Sequence, residues 1–243
     1  MGVVKGYGMS RTGVILAGGM GTRLAKPPVD DFPSSPTTPK PWEMLGEKTL
    51  LQHAYDRLAP QVDEVVFSVA ESFDEPTLLG CKVIPDIKVD LLETDTTSRR
   101  PGRKAGGPLV AIASVLQCMH EQGEPEGRTG QNEIVTVPVD MPFLPQNLVA
   151  QLAQVSRAPG QPCYAFCGDR DYPTCAIWPI ALAPQLVDWV VAQDMRAIYK
   201  VLRRLGAIKV NFDKTQSEAF LNINSPQDLE NAKTLMATGF GAI

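Results

Sequence analysis

Residues 15–23 read Ile-Leu-Ala-Gly-Gly-Met-Gly-Thr-Arg, an apolar strand pattern that runs directly into a glycine-rich loop closed by an arginine. Gly18, Gly19 and Gly21 can adopt backbone angles barred to other residues, and they leave room for a triphosphate against exposed N–H groups. Arg23 adds a fixed positive charge. The stretch therefore predicts a cradle for nucleotide phosphates after the first strand of an α/β fold.

Two better-known glycine motifs do not fit this loop. A Walker loop ends in Gly-Lys-Ser or Gly-Lys-Thr, and no such ending follows here. A dinucleotide-binding fingerprint has its third glycine where this chain has Leu24. The loop thus indicates phosphate binding without deciding between enzyme classes.

The composition is that of an ordinary globular chain, with 243 residues, 44% hydrophobic, 21% charged and a net charge of −4. The basic residues form no long stripe, which argues against nucleic acid as a partner. No apolar stretch approaches the roughly 20 residues of a membrane span. Residues 1–12 lack the hydrophobic core of a secretory signal. We therefore expect no membrane association and a cytoplasmic location.

The five cysteines are scattered along the chain and include no Cys-x-x-Cys pair. Neither histidine is placed to complete a zinc site. We expect buried, reduced thiols rather than a metal or redox centre, and packed or surface roles for both histidines. The residues are Cys81, Cys118, Cys163, Cys167, Cys175, His53 and His120.

Apolar β-rich runs alternate with helical periodicity along the chain. Strands are predicted over 13–17, 64–70, 82–85, 133–139, 162–167, 174–178 and 208–212. Helices are predicted over 49–58, 109–120, 146–155, 184–191, 194–205 and 226–236, the last capped by Ser225. The alternation predicts an α/β fold, Rossmann-like and doubly wound, with a mostly parallel sheet and helices on both faces.

Three segments depart from this alternation. Residues 1–12 are predicted to be a disordered N-terminal extension, and a single domain is predicted over 13–238. Inserts are predicted near 26–39, which is rich in proline and serine, and near 87–105, which carries a basic cluster. The cluster comprises Arg99, Arg100, Arg103 and Lys104, which either attract an anionic acceptor or form a solvated loop.

Polar residues that follow predicted strands are the first candidates for a site, because ligands of such folds bind at the carboxyl ends of strands. Asp140 follows the fourth strand and could hold Mg²⁺, or it could begin a proline-rich turn. Asp86 follows a shorter strand. Asn222 and Asn224 are two positions apart on an expected strand, so their side chains point to the same face. Either both face a ligand or metal, or each bonds its own backbone. Lys40, between two prolines, either reaches a phosphate or is a solvated surface lysine.

The order of these motifs resembles the nucleotidyltransferases related to molybdenum cofactor guanylyltransferase, the MobA-like family. The resemblance covers nearly the whole chain. The matching blocks are Leu-Ala-Gly-Gly with Arg23, Lys40, Val-Ile-Pro-Asp ending at Asp86, Gly-Gly-Pro-Leu-Val-Ala-Ile from Gly106, Val-Asp-Met-Pro-Phe-Leu-Pro around Asp140, Tyr172-Pro173-Thr174, and Asn222-Ile-Asn224-Ser-Pro. The first block is shared with a wide superfamily of sugar and cytidylyl transferases, whereas the two containing Asp140 and Asn222 are selective in combination.

The resemblance implies the nucleotide-diphospho-sugar transferase type of fold and transfer of GMP from GTP to the phosphate of molybdopterin, with Mg²⁺ as cofactor. It also implies possible protein partners in molybdenum cofactor synthesis or delivery. The implied catalytic residues are Arg23, Lys40 and Asp140, with Asp140 as metal ligand. The implied nucleotide-binding residues are Leu16, Ala17, Gly18, Gly19, Gly21, Lys40, Ser68, Asp86 and Asp140, with Asn222 and Asn224 near the acceptor or metal.

One departure leaves the substrate open. Ser68 stands where the family commonly has an asparagine that contacts the guanine region. A related transferase that uses CTP with molybdopterin, or that acts on a sugar phosphate, is therefore the first alternative. A catalytically inactive protein that binds nucleotide or delivers cofactor is the second, against which the glycine loop, Lys40 and Asp140 all argue.

Overall fold

The computed structural model describes residues 10–18, 40–69, 77–88, 106–123, 133–155, 157–158 and 160–241. The strands in these ranges are β1 (Arg11–Leu16), β2 (Met44–Leu45), β3 (Lys48–Thr49), β4 (Glu64–Val69), β5 (Thr77–Leu78), β6 (Cys81–Pro85), β7 (Glu133–Pro138), β8 (Cys163–Cys167), β9 (Arg170–Pro179) and β10 (Ile208–Phe212). The α-helices are α1 (Leu50–Leu58), α2 (Pro108–Glu121), α3 (Leu148–Ala153), α4 (Ala183–Val191), α5 (Ile198–Arg204) and α6 (Pro226–Ala237).

Eight strands form one sheet in the order β10-β8-β9-β7-β1-β4-β6-β5. At its centre β7, β1, β4 and β6 run parallel, and β10 runs parallel to β8. β9 is antiparallel to β7 and β8, and β5 is antiparallel to β6. The mostly parallel α/β sheet is therefore confirmed. Because β4 and β7 flank β1 on opposite sides, the strand order reverses at β1, where such folds bind ligands.

Helices cover both faces of the sheet, as predicted. On one face, Leu58 of α1 and Leu152 of α3 belong to the same buried cluster. On the other face, Ile112 of α2, Leu186 of α4 and Leu202 of α5 form a second cluster. This arrangement is that of a doubly wound sheet, with apolar residues of the strands buried on both sides.

The central strand β1 is buried on both faces, which explains its continuous apolar run. Val14 and Ile15 are each fully buried and belong to opposite clusters. A Cβ atom at Gly13 would lie 2.8 Å from Cδ2 of Leu58, so only glycine permits α1 to approach this closely. The resulting contact fixes α1 against the start of β1.

The predicted N-terminal extension ends two residues too late. Arg11 and Thr12 belong to β1 rather than to a disordered segment. Polar contacts extend the strand, because Arg11 N donates to Asp63 (2.8 Å) and Arg11 Nε donates to Glu133 (3.1 Å). Residues 1–9 lie outside the described residues, as do the whole first predicted insert and the second one except for residues 87 and 88.

Two further predicted boundaries are wrong. β9 begins at Arg170 rather than at 174, because a β-bulge at Tyr164 and Ala165 of β8 lets the strand continue past Pro173. α5 begins at Ile198 rather than at 194, and Asp194 cannot begin a helix because its φ is +47°, outside the right-handed helical region. No helix in the described ranges is both long and apolar enough to cross a membrane.

Candidate active site

The carboxyl ends of the parallel strands meet at one edge of the sheet. Leu16 and Ala17 are buried there (7% and 1% exposed) and Gly18 is half-buried. Contacts of Leu16 and Ala17 with a nucleotide would therefore use the backbone. Three backbone hydrogen bonds continue the ladders at these ends: Ala17 N to Ser68 O (2.9 Å), Val139 N to Leu16 O (3.3 Å) and Asp86 N to Val69 O (2.8 Å).

A lysine, an aspartate and an asparagine come together at this edge from three distant parts of the chain. Lys40 opens a short 3-10 turn, Asp140 follows β7, and Asn224 precedes α6. Lys40 Nζ donates to Asp140 Oδ2 at 2.7 Å and to Asn224 Oδ1 at 2.6 Å. Such short, charge-assisted bonds link these three parts of the chain directly.

The two asparagines lie in an irregular segment rather than in the expected strand. The side chains still alternate between two environments. Ile223 is buried in a cluster with Leu45 and Leu50, whereas the asparagines on either side of it line a cavity. Ile223 N donates to the carbonyl of Asp140 at 2.9 Å. This bond ties the C-terminal segment to the end of β7.

Two buried oxygens at this edge have no hydrogen-bond partner among the described residues. They are Asp140 Oδ1 and Asn222 Oδ1. A buried acceptor without a partner costs roughly 1–3 kcal/mol, so a ligand donor or a cation would be expected to satisfy it. Carboxylate and amide oxygens are also the donors that Mg²⁺ prefers.

Asp86 and Ser68 form a second polar pair at this edge, on the opposite side of β1 from Asp140. Ser68 is fully buried, and its Oγ donates a long hydrogen bond of 3.4 Å to Asp86 Oδ1. Burial raises the pKa of Asp86 to about 7, and the bond from Ser68 opposes that shift only in part. A Cβ atom at Gly106 would lie 3.5 Å from Asp86 Oδ2, so this carboxyl faces the approach to α2.

A cavity of about 590 Å³ opens beside Asn222 and Asn224. Tyr172 and Phe220 line it with stacked rings whose centroids are 4.6 Å apart. The β8–β9 hairpin supplies most of the remaining wall, including Arg170. The cavity is therefore partly aromatic and partly polar, which is typical of small-molecule sites.

Positive charge in this cavity comes from Arg170 and Lys214, two residues that the sequence analysis missed. No side-chain hydrogen bond or ion pair joins either of them to another described residue. Of the carboxylates in the lining, Asp171 is paired with Lys209 at 2.8 Å. The Gly-Asp turn between two predicted strands, at 168–169, was the available signal for this wall.

Asp228 also lines the cavity, but its carboxylate is committed to capping α6. Its side chain accepts from the backbone N–H groups of Asn224 (3.0 Å) and Ser225 (2.9 Å) and from Ser225 Oγ, which hold its pKa below the ordinary value. The predicted capping role of Ser225 is confirmed. The cap fixes the direction in which Asn224 enters the site.

The cysteines and histidines lie away from this edge or within the core. Cys163, Cys167 and Cys175 are buried, whereas Cys81 and Cys118 are only half-buried, so the expectation of five buried thiols is wrong for two. His53 Nε2 lies 2.8 Å from the carbonyl oxygen of Leu45. No group of three or more His, Cys, Asp or Glu in the described ranges could hold a metal ion by itself.

The structure thus brings Lys40, Asp140, Asn222 and Asn224 together. It places Leu16, Ala17, Ser68 and Asp86 along the same edge of the sheet. Gly19, Gly21, Arg23 and the basic cluster of the second predicted insert lie outside the described residues.

A family model for the MobA-like NTP transferase domain matches residues 13–208. The chain belongs to the MobA-like nucleotidyltransferase family. Two relatives named molybdenum cofactor guanylyltransferase support this assignment. This nucleotidyltransferase is 28% identical to the one from Rhizobium meliloti (strain 1021), covering 90% of this chain and 89% of the relative. It is 32% identical to the one from Rhizobium leguminosarum bv. trifolii (strain WSM2304), covering 91% and 90%.

Solved structures share the fold of this MobA-like enzyme. Molybdopterin-guanine dinucleotide biosynthesis protein A from Archaeoglobus fulgidus matches with a TM-score of 0.59 and 18% identity, covering 93% of this chain and 99% of that one. A protein from Mycobacterium tuberculosis H37Rv in complex with manganese matches with a TM-score of 0.56 and 14% identity, covering 93% and 98%. At these identities, the matches show the fold alone.

Proposed function

We propose that this nucleotidyltransferase transfers GMP from GTP to the phosphate of a molybdenum-molybdopterin acceptor, giving the guanine dinucleotide cofactor and pyrophosphate. The names of its relatives support the substrates. The observation that carries the proposal is the cluster of Lys40, Asp140 and Asn224 at the carboxyl ends of the strands. We assign the nucleotide to the side of β1 and the acceptor to the cavity beside Asn224.

The reaction requires little covalent chemistry from the protein. An oxygen of the acceptor phosphate bonds to the α-phosphorus of GTP while the bond from that phosphorus to the leaving pyrophosphate breaks. Because the acceptor oxygen is already anionic, no protein nucleophile or strong base is required. The protein's task is to align the two phosphates and to offset their charge.

The residues at the edge suit that task. Lys40 is a mobile point charge that can bind the triphosphate, and Arg23 with the glycine loop would add further donors. Leu16, Ala17 and Gly18 would contact the nucleotide through backbone groups. Ser68 and Asp86 would contact the nucleoside, and their positions near the ends of β4 and β6 support this role.

The oxygens without partners fit a hard divalent cation, which we propose to be Mg²⁺. Asp140 would be the protein ligand, with Asn222 and Asn224 as further oxygen donors in its shell. Mg²⁺ commonly takes one or two carboxylates and completes its shell with substrate phosphates and water. When bound, it would polarise the α-phosphate and stabilise the departing pyrophosphate.

The cavity beside Asn222 and Asn224 is the proposed acceptor site. The ring of Tyr172, backed by Phe220, offers a flat apolar surface for a heterocycle. Arg170 and Lys214 offer donors to an anionic group. These features support an acceptor that is both planar and negatively charged.

Ser68 favours a second candidate with the same chemistry. Its short, buried hydroxyl replaces an amide that would reach further toward the base, so CTP or a sugar-phosphate acceptor is the rival substrate. The third candidate is an inactive protein that binds nucleotide or delivers cofactor to a partner enzyme. The Lys40 and Asp140 cluster argues against it.

Calorimetry with Mg²⁺ separates these candidates by comparing the affinities of the protein for GTP, CTP, ATP and UTP. We expect a preference for GTP that Asp140→Asn weakens, followed by pyrophosphate release when molybdopterin is added. A preference for CTP would select the rival transferase. Nucleotide binding without release of pyrophosphate from the nucleotide, whichever acceptor is added, would select the inactive protein.

A further inference from the structure

In this structure Lys40 neutralises the carboxylate that the proposed function assigns to the metal. Its Nζ lies 2.7 Å from Asp140 Oδ2 and 2.6 Å from Asn224 Oδ1. We propose that Lys40 is an exchangeable internal cation, which occupies Asp140 and Asn224 until the nucleotide arrives and then moves to the nucleotide phosphates. This proposal rests on the proposed function, since it concerns the same site.

The geometry of Lys40 permits such a movement. Pro41, the next residue, is buried and anchors the 3-10 turn that Lys40 opens. The side chain of Lys40 is 29% exposed, whereas that of Asp140 is 17% exposed. A four-carbon stem on a fixed backbone can carry its ammonium between partners without moving the rest of the site.

The charges explain why the exchange needs the nucleotide. With Lys40 in place, Asp140 is neutralised and the amide of Asn224 is already engaged, so a divalent cation would meet a like charge at its ligand. Asp228 holds its negative charge nearby, stabilised first by Ser225 and also by Lys40. A triphosphate brings enough negative charge to draw the ammonium away and to share the divalent cation with Asp140.

The consequence is an order of binding. The metal binds poorly to the free protein and binds well only with, or after, the nucleotide. Lys40 thereby couples the assembly of the metal site to the presence of the substrate.

Electron paramagnetic resonance of Mn²⁺ tests this order directly, because free Mn²⁺ can be counted with and without GTP. In the wild-type protein we expect the Kd for Mn²⁺ to be at least about tenfold higher without GTP than with it. Equal affinities in the two conditions would overturn the proposal, whatever the variants show.

Three variants sharpen the test. Lys40→Met should bind Mn²⁺ without GTP about tenfold more tightly than wild type, because the competing ammonium is gone. Lys40→Arg keeps a cation on Asp140 and should stay as weak as wild type. Lys48→Met removes a lysine from a surface pair with Asp56 (2.6 Å) and serves as the matched control. An unchanged Mn²⁺ affinity in folded Lys40→Met would reject the exchange.

Asp140→Asn separates this proposal from the proposed function. If that variant loses Mn²⁺ in the presence of GTP while Lys40→Met gains nothing in its absence, Asp140 is the metal ligand and only the exchange fails. If Asp140→Asn binds Mn²⁺ with GTP as well as wild type does, the assignment of the metal to Asp140 fails, and the exchange falls with it.

Discussion

The two ends of β7 each carry a carboxylate, and the two carboxylates have different surroundings. Glu133, at the start of the strand, is 1% exposed and pairs with Arg11 Nε (3.1 Å) and with Arg157 Nη2 (2.6 Å). Asp140, just past the other end, has one cation on Oδ2, and its Oδ1 has no partner among the described residues. Both oxygens of Glu133 are satisfied, whereas Asp140 keeps one available. The saturated carboxylate is suited to stabilising the fold, whereas Asp140 keeps an oxygen that can accept a further bond.

Replacing Glu133 should have the largest effect on stability. Glu133→Gln leaves the guanidinium of Arg157, which is 9% exposed, without a counter-charge. Removing one partner of a buried ion pair costs about 3–5 kcal/mol, so the free energy of unfolding in urea should fall by about that amount. The activity of the remaining folded molecules should be unchanged. Glu64→Gln, at an exposed position, is the control, and a loss below about 1 kcal/mol would show that Glu133 is not saturated by the arginines.

Asp140→Asn should show the opposite pattern. We expect the rate of pyrophosphate release to fall by about a hundredfold to a thousandfold, or about 2.7–4 kcal/mol, because a charge that acts on the reacting phosphates is lost. The melting temperature should change little, since the amide in this variant still offers an oxygen to Lys40. The exposed Asp188→Asn is the control. A stability loss as large as that of Glu133→Gln, without a loss of rate, would make Asp140 a structural residue.

The sequence predicts these two carboxylates unequally. A strand followed by Asp140 and a proline is visible in the sequence, as is the capping box at Ser225, because both signals are local. The contact between Lys40 and Asp140 spans 100 positions and depends on the order of strands in the sheet, which periodicity does not encode. The role of Glu133 depends in the same way on Arg11 and Arg157, which come from distant segments. Local patterns therefore predicted the elements and several candidate site residues, whereas long-range pairing had to come from the structure.

Asp86 extends the comparison to a carboxyl that has no cation among the described residues. Because burial raises its pKa from 3.8 to about 7, the native state keeps this proton at pH values where the unfolded chain has lost it. The native state therefore has its full stability below the ordinary pKa of 3.8. It loses the part that depends on protonated Asp86 as the pH rises through about 7. Asp86→Asn should therefore raise the free energy of unfolding at pH 8 by about 1–2 kcal/mol, discounted for partial exposure, and by almost nothing at pH 4. Urea titrations at the two pH values, without nucleotide, measure this, and equal effects at both would mean that Asp86 ionises normally.

Lys214 is the converse case, a cation in the cavity with no carboxylate paired to it among the described residues. If an unsatisfied group marks binding, Lys214→Ala should raise the KM for the acceptor by about threefold to tenfold, or about 0.7–1.4 kcal/mol, since an exposed contact to an anion is worth about that much. The KM for the nucleotide and the stability should not change, because Lys214 touches neither the nucleotide side nor a buried partner. Lys233→Ala removes a lysine that is paired with Glu230 at 2.7 Å on α6, so it should alter neither KM. If both alanine variants leave the acceptor KM unchanged, the charge of Lys214 contacts only solvent. A charged group without a partner would then indicate binding only where, as proposed for Asp140, it is also buried.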